Sequence, residues 1–100
     1  MTDPTLLEAQ RLVVDANMCS QIFTHKGGEH ALRGERLLAL RDSLVNQIQN
    51  DTGSDWGFIC GTTDGYKQAR ELSPIALRTY HSLDDAIRNP WKLDQRDQAP

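Results

Sequence analysis

The first half of the chain carries two long amphipathic segments separated by a pair of glycines. The segments cover residues 4–23 and 29–50, and Gly27 and Gly28 lie between them. Glycine readily adopts the left-handed backbone that ends a helix, so the pair indicates a helix end and a short connection. Long helices joined by a short connection favour antiparallel packing. We therefore predict a helical hairpin over about half of the 100 residues.

Small and apolar side chains in each segment recur every three or four residues, which is the spacing of one helix face. The first stripe contains Leu6, Ala9, Leu12, Val13, Ala16, Cys19, Ser20, Ile22 and Phe23. The second contains Leu37, Leu38, Leu44, Val45 and Ile48, with Arg41 on the same face. We expect the two stripes to form the core, with Asp3 and Pro4 at the start of the first helix.

The second half of the chain shows shorter patterns that are typical of strands. Residues 56–60 alternate in the manner of a short buried strand, and residues 75–80 include Ile, Thr and Tyr. These patterns favour a small antiparallel sheet within residues 56–80. Ser82 and the acidic residues after it then indicate a short helix that ends before Pro90.

The predicted fold is therefore α+β, with an N-terminal antiparallel helical hairpin packed on a small antiparallel sheet and a short C-terminal helix. An all-α fold is the alternative, because residues 66–72 and the segment that starts at Pro74 also suit helices. We predict a single domain over residues 1–91 and a polar, flexible tail over residues 92–100.

Charge and hydropathy argue against several classes of function. Eleven Lys and Arg residues stand against fourteen Asp and Glu residues, and the net charge of −3 gives no basic surface for sequence-specific nucleic-acid binding. No apolar run approaches the ~20 residues that span a bilayer. The N-terminus lacks a basic region followed by an apolar one, and the two cysteines suggest reduced thiols, so we predict a cytoplasmic protein.

One short motif suggests an enzyme. Asp51-Thr52-Gly53-Ser54 resembles the active-site tetrad of aspartic proteases, a family in which two carboxylates share one proton to activate water. The resemblance implies a small homodimeric hydrolase in which each chain donates Asp51. That family places the tetrad after a strand in an all-β fold, whereas here it follows a predicted helix. The other interpretation is a helix-terminal turn that ends at Gly53.

Other chemistry-bearing residues form no complete motif. Cys19, His25, His30 and Cys60 are potential zinc ligands, but their spacing matches no compact zinc pattern. A pairing of Cys60 as nucleophile with His81 as base is conceivable, since such partners need not be close in sequence. We predict no metal, no cofactor and no enzymatic activity.

The arginine and tryptophan content favours protein binding instead. The chain has eight Arg and three Lys, and Arg and Trp are enriched among residues that carry binding energy. Trp91, directly after Pro90, either caps the core or anchors a partner. We predict a non-enzymatic protein that docks on a larger protein or protein complex, and a homodimer is a further possibility. The predicted contact residues are Arg33, Arg36, Arg78, Arg88 and Trp91.

In size and charge alone, the chain resembles the small acidic proteins that phages and mobile elements encode to block host machinery, anti-CRISPR proteins among them. This resemblance implies an inhibitor that acts by binding.

Overall fold

The computed structural model describes residues 3–61 and 70–94, and every regular element within those ranges is helical. The predicted α+β fold is therefore wrong, and the described chain is all-α. The elements are α1 (Leu6–Lys26), α2 (Glu29–Thr52), α3 (Trp56–Gly61), α4 (Pro74–Arg88) and a one-turn 3-10 helix (Pro90–Leu93).

The helical hairpin of the first half is present as predicted. α1 begins after Thr5, whose backbone N–H donates to the Glu8 carboxylate at 3.2 Å, so Asp3 and Pro4 precede the helix rather than open it. Gly27 and Gly28 connect α1 to α2 with φ angles of +74° and +58°, which side-chain-bearing residues rarely adopt. Gly53 ends α2 in the left-handed conformation.

The core lies between α1 and α2 and is completed by α4. Leu37, Leu44 and Ile48 of α2 are buried as predicted, in one cluster with residues of α1 and α4. Phe23 and Ile22 were both predicted on the core face of the first stripe, but only the prediction for Phe23 is confirmed. Phe23 packs against the core at its edge, whereas Ile22 is 55% exposed and lies outside it.

The first predicted strand, residues 56–60, is the short helix α3. Its start is fixed by side chains: Trp56 N–H donates to Gln49 Oε1 at 2.8 Å, and Gly57 N–H donates to Asp55 Oδ2 at 3.0 Å. An acidic side chain that accepts from a free N–H favours helix initiation. Ile59 is buried and Phe58 is exposed.

The second predicted strand, residues 75–80, lies inside α4. Ser73 caps this helix, because its Oγ accepts from Ala76 N–H at 3.2 Å, and Pro74 occupies the first turn. Ser82, which we expected to start a helix, lies in the middle of α4. Burial of Ala76, Leu83 and Ala86 holds the inner face of α4 on the hairpin.

The segment before α4 connects back to the start of α1. Leu6 N–H donates to the carbonyl of Arg70 at 2.8 Å, and Thr5 and Glu71 form an isolated antiparallel bridge. Most of the stretch 66–72, for which strand and helix were both open, lies outside the described residues. At the other end, Leu93 is 1% exposed, so packing continues past residue 91. Residues 95–100 of the predicted tail lie outside the described ranges.

Candidate functional site

The turn formed by residues 90–94, here named the 90–94 turn, is attached to both α2 and α4. Arg33 of α2 donates from Nε and Nη2 to the two carboxylate oxygens of Asp94, at 2.9 and 2.5 Å. Arg36, one turn later, donates from Nη1 to the Leu93 carbonyl at 2.6 Å. From within the turn, Lys92 Nζ donates to Asp85 Oδ2 of α4 at 2.8 Å. Together with the buried Leu93 side chain, these bonds fix the backbone of the turn.

The charges in these bonds stabilise one another. The hydrogen bond from Arg33 lowers the pKa of the Asp94 carboxyl, and the same bond raises the pKa of Arg33. Hydrogen bonds from Lys92 and Asn89 lower the pKa of Asp85. Hydrogen bonding to the charged form of a carboxyl favours that form, so both acids are ionised near neutral pH.

Trp91 projects from the fixed turn with 55% of its surface exposed. The interpretation that it caps the core is therefore wrong, and the indole is available to another molecule. Arg88, three residues earlier, is 74% exposed at its side chain and pairs with Asp84 at 3.3 Å in the same helix. Such an exposed pair is worth about 0–1 kcal/mol and is easily exchanged for a partner's carboxylate.

The structure thus brings four of the five predicted contact residues to one region. Arg33 and Arg36 hold the 90–94 turn, Trp91 belongs to it, and Arg88 ends the helix that leads into it. Arg78 is exposed on α4, but it lies ten residues before Arg88, about 15 Å along the helix axis. Both α2 arginines already have partners within the chain, which the sequence alone did not reveal.

A second exposed surface, on α1, was missed by the sequence analysis. Val14, Met18 and Ile22, here named the α1 stripe, are 54%, 58% and 55% exposed and follow one another at single-turn intervals. Beside them is an open groove of about 490 Å³, lined by Met18, Gln21, Ile22, His25 and Lys26. The four-residue spacing of these side chains indicates an exposed stripe, whereas the sequence-based prediction assigns Ile22 to the core face.

The protease-like tetrad lies at the end of α2. Asp51 belongs to the last turn of the helix, and its Oδ2 accepts from Ser73 Oγ–H at 2.5 Å. The Arg70 side chain donates to the Asp51 carbonyl at 3.3 Å. This carboxylate therefore joins the end of α2 to the start of α4, and Gly53 terminates the helix as the other interpretation expected.

The candidate zinc ligands Cys19, His25, His30 and Cys60 lie on three different helices. Partial burial raises the pKa of the Cys19 and Cys60 thiols, which disfavours the thiolate that a nucleophile requires. His30 stacks on Phe23 with ring centroids 6.3 Å apart. Within residues 3–61 and 70–94, no three potential metal ligands from His, Cys, Asp and Glu come together.

Among the described helices, none is long and apolar enough to cross a bilayer. Comparisons with protein-family models, with curated proteins and with solved structures found no match to this chain.

Proposed function

We propose that the protein is a non-enzymatic docking protein that binds a larger protein or protein complex through a surface centred on Trp91. The observation that supports this proposal best is the position of Trp91. A large aromatic side chain is 55% exposed on a turn whose backbone is held by Leu93 and by Arg36.

A fixed, exposed indole is well suited to binding. Association costs free energy when a side chain and its backbone must be ordered, and that cost is smaller when the backbone is already held in place. Trp also offers a large apolar area together with one N–H donor. Tryptophan in a partner's pocket is among the side chains that most often dominate binding energy.

The partner's chemistry follows from the groups around Trp91. Arg88, three residues before it, and Lys92, next to it in the turn, are exposed, and each forms an exposed pair with an aspartate of α4 that a partner's carboxylate could exchange. A partner surface that carries an apolar pocket flanked by carboxylates would match this arrangement. We propose the cytoplasm as the place of this encounter, and the two unpaired thiols support that proposal. Inhibition of the bound complex is the biological outcome that we propose.

Trp91→Ala tests the proposal. In a pull-down from lysate of the source cell, a partner retained by the wild-type chain should be lost with this variant. With the purified partner, the dissociation constant should rise at least about tenfold, or 1.4 kcal/mol. Ile75→Ala is the matched control, because Ile75 is an exposed apolar residue at the far end of α4.

The thermal melts of both variants should match that of the wild-type chain, since neither side chain belongs to the core. Equal binding by wild-type and Trp91→Ala protein would show that the surface is placed wrongly. Arg33→Ala and Arg36→Ala are less direct tests, because each also releases a contact that holds the 90–94 turn.

A further inference from the structure

We infer that α1 is a self-association surface, on which a second copy of this chain packs its own α1 in the antiparallel direction. The inference rests on the α1 stripe and its groove, and it is independent of the Trp91 surface.

The groove has the form that receives a side chain in knobs-into-holes packing. In such packing, four residues at positions i, i+3, i+4 and i+7 of one helix surround a side chain from the facing helix. Met18, Gln21, Ile22 and His25 have this spacing, and all four line the groove. Met18 is flexible enough to adjust the shape of the hole to its occupant.

The second copy supplies the side chain that fits this hole. The stripe is nearly centred on Met18, with Val14 one turn before it and Ile22 one turn after it. An antiparallel pair with its two-fold axis at Met18 therefore places Val14 of each copy against the hole of the other. The same rotation places the two Met18 side chains in contact. Arg11 lies on this face before Val14, which limits the apolar part to the α1 stripe.

Charge complementarity selects the antiparallel direction. Glu8 in the first turn of α1 and Lys26 in the last turn are eighteen residues apart, which is five helical turns, so they project from the same side. The antiparallel pair brings Lys26 of one copy within about one turn of Glu8 and of Arg11 of the other, and this happens twice. The first half of the exposed face carries two acids, Glu8 and Asp15, against the one base Arg11, so it is net acidic where Lys26 approaches it. A parallel pair would instead place the net-acidic first halves of the two helices side by side, and it would align the helix dipoles unfavourably.

Sedimentation equilibrium of the full chain, at concentrations from about 1 µM to about 1 mM, tests the association. We expect a reversible monomer–dimer equilibrium for the wild-type chain. Met18→Glu places two carboxylates at the two-fold axis and should raise the dimer dissociation constant at least about tenfold. Ile75→Glu adds the same charge at another exposed apolar residue and should leave the equilibrium unchanged. Circular dichroism melts of both variants establish that they are folded.

Cysteine cross-linking tests the direction. In a Cys19→Ala, Cys60→Ala background, Val14→Cys and Ile22→Cys are made as separate proteins and treated with an oxidant. A disulfide should form when the two proteins are mixed, and each protein alone should form far less. Lys26→Glu, which replaces the cation next to the net-acidic first half of the second copy, should reduce the yield.

A wild-type chain that stays monomeric up to about 1 mM would overturn the inference. So would a dimer that Met18→Glu and Ile75→Glu weaken equally. Efficient cross-linking of Val14→Cys to itself would show a parallel pair and refute the antiparallel arrangement.

Discussion

At Gly34 the backbone of α2 packs directly against α1. A Cβ atom at this position would lie 3.0 Å from the Ser20 carbonyl oxygen and 3.0 Å from Thr24 Oγ1. The Thr24 side chain can rotate away, but the Ser20 carbonyl belongs to the helix backbone. The glycine is therefore required by the closeness of the two helices, since its φ is not in the left-handed region.

Gly34→Ala should destabilise the protein even though alanine is the better helix former. In the interior of a helix, intrinsic helix propensity favours alanine over glycine by about 1 kcal/mol. Overpacking a tight contact between two elements costs about 1–3 kcal/mol, and a carbonyl that cannot move places this site at the upper end. We expect a net loss of about 1–2 kcal/mol in the free energy of unfolding, measured by urea denaturation.

Ser43→Ala on the same helix is the control, because Ser43 is exposed and its replacement should change stability by less than about 0.5 kcal/mol. A Gly34→Ala protein more stable than the wild type would mean that the helices do not approach this closely.

Among the elements, α4 depends on one side chain at its start. Ser73 Oγ accepts from Ala76 N–H and donates to the Asp51 carboxylate at the end of α2. The same hydroxyl thus begins α4 and joins it to the hairpin. Ser73→Ala should lower the free energy of unfolding by about 0.5–2 kcal/mol, the usual cost of losing such a cap.

Ser82→Ala provides a direct comparison, because the sequence pattern also nominated Ser82 as a cap. Ser82 is exposed in the middle of α4, so its replacement should change stability by less than about 0.5 kcal/mol. Chemical denaturation of Ser73→Ala and Ser82→Ala gives the free energy of unfolding of each variant, and the larger loss identifies the serine that caps α4. Equal losses of unfolding free energy in the two variants would contradict the observed start of α4.

The hairpin could be predicted because several local signals agree. Each long segment has apolar residues at helical spacing, and the glycines at 27, 28 and 53 mark the ends of both helices. Agreement between periodicity and end signals is what makes long helices predictable. The start of α1 was misplaced, because Thr5 and Glu8 form a better cap than Asp3, and both helices extend a few residues past the predicted ends at 23 and 50.

The sheet was wrongly predicted because short segments carry weak periodicity. Five alternating residues at 56–60 fit a strand or little more than one helical turn equally well. In α4, the strand preference of Ile75 and Tyr80 is overridden by packing: Ala76, Tyr80 and Leu83 line up on one helix face against the hairpin. The same spacing is visible in the sequence and indicates a helix, in opposition to the strand preference of the individual residues.

The candidate surfaces were predictable only in part. The sequence identified Trp91 as a residue of interest, but the bonds that fix its turn join residues about sixty positions apart in the chain, which no local pattern encodes. The α1 stripe was visible as Val14, Met18 and Ile22. It was not recognised because a helix with two apolar faces resembles one with a single wide face.

For the molecule as a whole, charge pairs that join distant segments make stability depend on pH. The hydrogen bond from Arg33 lowers the pKa of Asp94, whose ordinary value is 3.8. A carboxyl with a lowered pKa in the folded state contributes stability that is fully present above the unfolded value. That contribution is lost as the pH falls from about 3.8 through the folded value.

Asp94→Asn should therefore be less stable than the wild type at pH 7, and the difference should shrink as the pH falls below about 4. Urea denaturation of both proteins at several pH values from 7 to about 2.5 measures this. Asp42→Asn is the control, since Asp42 pairs with its neighbour Arg41 in the same helix and joins no distant segments through that pair. If the difference in unfolding free energy between the wild type and Asp94→Asn stays constant with pH, the Arg33–Asp94 pair does not form in solution.

The glycine pair between α1 and α2 also has a consequence for the order of folding. Contacts across the hairpin begin between residues only a few positions apart, so little chain entropy is lost before they form. The docking of α4 and of the 90–94 turn closes loops of many tens of residues. Domains dominated by local contacts fold fast, and non-local contacts slow the process. The hairpin is therefore the part of the molecule that should assemble first, as the template on which α4 and the turn bearing Trp91 are later placed.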